Sequence, residues 1–202
     1  MIETNIQDKK ESFLKKEFFM LSWDAAVQQR NEGQKLFKDN ISDKKKNEFK
    51  YKLFMDTEII LKAYKKNKVN SDDHHKNLLK IESQFKSEGK EIFADGSYAF
   101  NFSTVQKYFN MMCKYYWCAG FIKEPPELPI DSINLSKIGK NYSWTREIIK
   151  LSNYEKKIEE FRSNVSESSL AVWELKNWER RLFNGQKNEG ELMDVIRCDE
   201  KE

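Results

Sequence analysis

The sequence predicts an all-α fold, a single multi-helix domain, on three observations. Apolar residues recur at helical spacing through most of the chain. Only 7 Gly and 3 Pro occur in 202 residues, too few for an architecture of many tight turns. Hydrophobic residues at 39% and aromatic ones at 13% supply the apolar surface for one substantial core, in spite of 34% charged residues. Residues 1–184 are read as the domain, and 185–202, beyond the Asn184-Gly185 turn signal, as a charged and loosely ordered tail.

Taken in chain order, residues 7–38 form a first amphipathic run with a stripe of Phe13, Phe18, Leu21, Ala25 and Gln28, and Gly33 marks a break. Ser42 is the N-cap of a second helix, which carries Phe49, Leu53, Ile60 and Tyr64. That helix closes on Lys65, Lys66 and Lys68, cations that suit the negative end of a helix dipole. A third helix starts at Ser71-Asp72-Asp73, runs through Leu78, Leu79, Ile81 and Phe85, and stops at Gly89. Residues 90–101 hold Asp95-Gly96 between aromatics and read as a loop or a small hairpin. A central helix opens at Ser103 or Thr104 and ends near Gly120, after which Pro125, Pro126 and Pro129 impose an extended connector. Asp131 restarts a helix, and further helices cover 145–162 and 167–183, the latter with Leu170, Trp173 and Leu175.

Composition narrows the function class. A formal charge of +3 lacks the basic excess that by itself announces a nucleic-acid binder. The 36 basic residues include arginine only at Arg30, Arg146, Arg162, Arg180, Arg181 and Arg197, and the lysines suit phosphate contact better than bidentate base reading. Cys113, Cys118 and Cys198 have no metal-ligand spacing, which argues against disulfides and zinc and for a reducing compartment. The stretch Met1-Ile2-Glu3-Thr4-Asn5 has no basic segment leading into an apolar one, and no run approaches the ~18 apolar residues of a membrane span. A cytoplasmic protein with no membrane association, metal or other cofactor is expected.

Residues 105–117 and the later Leu128-Pro129-Ile130-Asp131 set Lys107 and Asp131 where two helices are expected to begin. A helix start offers free N–H groups and the positive dipole end, which hold a carboxylate or a reacting anion. On the central helix Val105, Phe109, Met112 and Tyr116 make one apolar stripe, while Lys107, Asn110 and Lys114 share a different face. The first face is expected to be buried and the second to meet a ligand.

The run Lys107-Tyr108-Phe109-Asn110-Met111-Met112-Cys113-Lys114, with Pro129-Ile130-Asp131 downstream, resembles the catalytic segment of the helix-hairpin-helix DNA glycosylase superfamily, in particular its archaeal 8-oxoguanine glycosylase branch. The match covers roughly residues 102–139. It implies an enzyme acting on DNA that removes a damaged or modified base, with Lys107 attacking the anomeric carbon of the sugar and Asp131 stabilising the cationic sugar. Lys114 would help to lower the pKa of Lys107. Gln106, Asn110, Lys114, Trp117 and Lys123 are the expected nucleic-acid contacts, and Phe102, Trp117, Phe121 or Trp144 could receive an extruded base. One departure stands out: residues 100–106 contain no Gly-x-Gly element, so a DNA phosphate would need other donors. The Gln-Lys and Pro-Ile-Asp elements are also shared with small helical bacterial proteins of unknown activity.

A second expectation belongs to a different class: a non-catalytic helical interaction protein of a defence system or mobile element, binding protein or nucleic acid through aromatic and lysine surfaces. Asp72-Asp73-His74-His75 holds metal-capable side chains, but consecutive helix positions point apart, and the aspartates suit a first helical turn. Lys44, Lys45, Lys46, Lys50, Lys52, Lys62, Lys65, Lys66 and Lys68 are interleaved with Asp43, Glu48, Asp56 and Glu58, so they read as a solvated face before a phosphate track.

Overall fold

The helix richest in large apolar residues, α4 (Phe102–Cys118), takes the centre of the molecule, because only a position surrounded by other elements can bury so many of them. The computed structural model describes residues 2–27 and 35–178. Among these, eight α-helices occur in the order α1 (Ile2–Ala26), α2 (Asp43–Lys66), α3 (Ser71–Ser87), α4, α5 (Ser132–Lys137), α6 (Trp144–Glu147), α7 (Leu151–Asn164) and α8 (Leu170–Lys176). There is no strand among them beyond an isolated antiparallel bridge between Phe37 and Phe93, and the all-α class stands. No helix is long and apolar enough to cross a membrane among the described residues.

Helix α1 packs most extensively on α4, and α3, α6 and α7 also line it. The expected stripe of Val105, Phe109, Met112 and Tyr116 is buried, joined by Phe102, Tyr108 and Cys113. Trp23 of α1 is enclosed by the rings of Phe19, Phe49, Phe85 and Phe93, so one aromatic cluster ties α1, α2, α3 and the 90–101 segment together. Such ring pairs contribute about 0.5–1.5 kcal/mol each beyond the area they bury.

The caps follow the sequence with two shifts. Ser42 caps α2 by accepting from the Lys45 N–H, as expected, whereas α3 is capped by Asn70 from one residue before the predicted start. Gly89 does not end α3 through a left-handed conformation. Instead it is buried against Phe93, whose ring would lie 2.6 Å from an added Cβ. Residues 90–101 form two single 3₁₀ turns, Gly89–Glu91 and Tyr98–Phe100, joined through Gly96 at φ +77°.

The first helix is where the predicted face fails. Phe13 and Leu21 are exposed, and the buried side runs through Phe19, Ser22, Trp23 and Ala26, rotated from the expected one. Phe18 remains at the edge of the core, and Gln28 and Gly33 lie outside the described residues. The predicted helix over 145–162 is divided at Ile148, which is fully buried and whose carbonyl accepts from the Ser103 N–H at 2.8 Å. The last helix among the described residues is short, ending at Lys176. Residues 179–202, including Phe183 and the predicted tail, lie outside the described residues.

Candidate functional site

Asp131 ends an extended, proline-containing connector, and its side chain closes the first turn of α5. Its Oδ1 accepts from the N–H groups of Ile133 at 3.1 Å and Asn134 at 3.0 Å. The other carboxylate oxygen is thereby turned towards α4, where it lies 3.4 Å from the Lys107 Nζ. Both side chains are 16% exposed, so the pair sits at the edge of the fold and can be reached from solvent. Lys107 is not at a helix start, since it is the sixth residue of α4. Its ammonium lies 5.4 Å from the centre of the Trp144 ring instead. The helix-start argument therefore holds for Asp131 and is corrected for Lys107.

Gln106 explains why two residues so far apart in sequence meet. Its amide donates to the Ile130 carbonyl at 2.8 Å and accepts from the Ile130 N–H at 3.0 Å, with both groups buried. A side-chain amide is here used as a strand edge, satisfying both backbone groups of the residue just before Asp131. Asn134 adds a bond from its amide to the Pro129 carbonyl at 2.9 Å. The first-turn amides of α4 are taken up internally, Ser103 by Ile148 and Thr104 by Asn101, so they do not replace the missing glycine-rich phosphate cradle.

Seven residues along α4 from Lys107, about 10 Å by helical rise, Lys114 meets Glu174 of α8 at 2.6 Å. Trp178 covers the ammonium, with its ring centre 5.0 Å away. Burial raises the Glu174 carboxyl above the usual value although Lys114 opposes it, and the charge of Asp131 adds to the rise. The Lys114 charge, expected to bear on Lys107, is paired with Glu174. The result is two ion pairs with their carboxylates on the inner side, Lys107 with Asp131 and Glu174 with Lys114, with Trp144 beside one lysine and Trp178 beside the other.

The remaining expected contacts divide sharply. Gln106 and Asn110 are buried and their polar atoms are engaged inside the protein, so neither presents itself to a nucleic acid. Lys123 is exposed on the connector, and Trp117 is half-buried against the core. Of the aromatics offered as a base pocket, Phe102 is wholly buried and Phe121 packs beside Phe18 and Tyr116, which leaves Trp144 as the one beside Lys107. Lys44, Lys46 and Lys52 pair with Glu48, Asp43 and Glu88 on the surface, in keeping with a solvated face.

Sequence reasoning missed Glu174, Trp178 and Glu127. The first two lie in the Trp173-Glu174-Leu175 region, read only as a helix. Glu127 stood out as a lone acid among Pro125, Pro126, Leu128, Pro129 and Ile130, a signal that could have been used, because an acid in an apolar connector must find a partner. No group of three or more His, Cys, Asp or Glu residues suited to a metal ion occurs among the described residues. No known family model, characterised protein or solved structure matches the chain.

Proposed function

We propose that this protein is a DNA glycosylase/lyase-like enzyme that excises a damaged or modified base with Lys107 as nucleophile and Asp131 as its electrostatic partner. The observation that supports the reading is the approach of the Lys107 Nζ to the Asp131 carboxylate across 24 residues of sequence, at an edge open to solvent. An ammonium cannot attack, so Lys107 must first pass its proton to solvent, and Asp131, held by two backbone N–H groups, stays in place to stabilise the positive charge that develops on the sugar. The neutral amine forms a bond to C1′ while the glycosidic bond breaks and the electron pair leaves with the base, which takes up a proton. Opening of the sugar ring then gives a Schiff base to Lys107.

Borohydride trapping tests the reading. Purified protein is incubated with duplexes carrying an abasic site, 8-oxoguanine or modified cytosines, and Lys107→Gln is run beside it. A covalent adduct absent from the variant supports lysine chemistry, and absence of adduct and base release on every substrate overturns it.

A second reading, a helical interaction protein, draws on exposed apolar residues. Ile6, Phe13 and Met20 recur at seven-residue intervals on α1, and Tyr51, Met55 and Ile59 at four-residue intervals on α2. On that reading Lys107→Gln leaves partner binding unchanged, whereas Phe13→Glu with Ile59→Glu abolishes it.

A further inference from the structure

The connector that delivers Asp131 is fastened at a second point, four residues earlier, by a polar network that the chemistry above does not use. Glu127 is 1% exposed. Its Oε2 accepts from the Tyr154 hydroxyl at 2.7 Å and its Oε1 from the His75 Nε2 at 2.9 Å. The Arg162 guanidinium of α7 lies 3.7 Å from the same Oε1 and also donates to Ser71 at 3.0 Å, drawing α7 and α3 together around the carboxylate.

Behind Glu127 a chain of hydrogen bonds runs through four helices with one consistent direction. Asn77 donates to the Tyr64 hydroxyl at 3.2 Å, and Tyr64 meets the His74 Nδ1 at 2.9 Å. The His74 Nε2 meets the Asn110 carbonyl at 2.9 Å, and Asn110 donates to the Tyr154 hydroxyl, also at 2.9 Å. Because the Asn110 amide N–H is spent on Tyr154, its oxygen must accept, so His74 donates from Nε2 and accepts at Nδ1 from Tyr64. His74 is therefore a neutral imidazole, in agreement with the burial that lowers its pKa.

His75 is drawn the opposite way. Its Nε2 is hydrogen-bonded to Glu127 at 2.9 Å and its Nδ1 faces the Glu155 carboxylate at 3.3 Å. A carboxylate beside each ring nitrogen favours the imidazolium, and the hydrogen bond to Glu127 raises the pKa above its ordinary value against the effect of burial. The groups around it are Asp72 and His74 on α3, Glu127 on the connector, and Tyr154, Glu155 and Arg162 on α7, with Arg162 drawn off in part by Glu159 at 3.4 Å.

We propose that Glu127 is a positioning residue for Asp131, and that protonated His75 is the latch that holds it. Prolines 125, 126 and 129 stiffen the connector, so a pin at Glu127 limits where Ile130 and Asp131 can go. Gln106 fixes the near end through Ile130, and Glu127 fixes the far end to α3 and α7. When His75 loses its proton, one of its two carboxylate contacts loses its donor, Glu127 is left buried with less compensation, and the far end is released. The catalytic meaning of this arrangement rests on the glycosylase reading, but the fastening itself does not.

The test therefore reads the fastening directly. Hydrogen-exchange protection of the Ile130 amide, whose bond to Gln106 reports the position of the connector, is measured in wild type, Glu127→Gln and His75→Gln from pH 5.5 to 9, with the amides of Leu53 and Leu61 in α2 as internal reference. The expected result is a fall in Ile130 protection in both variants that exceeds any change in the reference amides, which report global stability, by roughly tenfold or more. In wild type the same fall follows the titration of His75, observed by its own imidazole resonances. Ile130 protection that is equal in all three proteins and insensitive to that titration overturns the inference, and if Glu127→Gln does not fold, His75→Gln alone decides. Borohydride trapping on the same samples separates the two ideas: loss of Ile130 protection without any adduct on any substrate leaves the latch standing and removes the glycosylase reading.

Discussion

Two polar regions share helix α4, and they are built on opposite terms. Around Asn110 the network from Asn77 to Glu127 is enclosed, every link has a donor and an acceptor, and five of its members, Tyr64, His74, Asn110, Glu127 and Tyr154, are at most 1% exposed. Around Lys107 and Lys114 the charges are matched to Asp131 and Glu174 at the rim, each pair beside a tryptophan. The first region can contribute only to the structure, because no ligand reaches it without unfolding something. The second is held less completely, which is the condition for exchanging a protein partner for a substrate. Gln106 joins them, since it sits on α4 and fixes the connector that runs from Glu127 to Asp131.

Lys107→Gln should separate the two regions most strongly. On the proposed reading, trapping of a covalent adduct disappears, a loss on the order of a thousandfold or more in rate, while the unfolding free energy changes by less than about 1 kcal/mol because the pair is at the edge. A large loss of stability instead would place Lys107 with the enclosed network. Glu127→Ala should behave in the reverse sense. It strips His75 and Tyr154 of their acceptor, and urea unfolding should register a cost of about 3–5 kcal/mol. Removal of the link, Gln106→Ala, leaves two buried backbone groups of Ile130 unsatisfied and should cost about 2–3 kcal/mol together with part of any adduct formation. Its signature is that both readouts move.

The smallest effect is the dependence on pH. A hydrogen bond to Glu127, against the opposing effect of burial, raises the His75 pKa above its ordinary 6.5. That contribution to stability is complete below 6.5 and is lost as pH rises through the raised folded value. Burial works to raise the Glu127 carboxyl, but the His75 hydrogen bond and charge and the Tyr154 hydroxyl hold it below its ordinary 4.5. Its contribution is complete above 4.5 and is lost as pH falls through the lowered folded value. The difference in unfolding free energy between wild type and Glu127→Gln, followed against pH, should therefore be greatest between 4.5 and 6.5 and shrink on either side. A flat difference would mean that the pair titrates alike in the folded and unfolded chain. Lys107→Gln should leave that profile unmoved.

The sequence by itself determined the all-α class, the N-cap at Ser42, the buried stripe of α4, and Asp131 as the residue that starts α5. Each of these depends on residues within a few positions of one another, so periodicity and capping chemistry are enough to read them. The face of α1 was misjudged because Phe13, Leu14, Met20 and Leu21 are apolar yet exposed, and only packing chooses among several apolar stripes on one helix. The pairings that build the site were decided by tertiary structure alone. His75 meets Glu127 across 52 residues, Lys114 meets Glu174 across 60, and Gln106 meets Ile130 across 24. Nothing local favours any of these partners. They are selected because a charge or an amide carried into the interior must be satisfied there, and the only groups that can satisfy it are the ones the folded helices bring within reach.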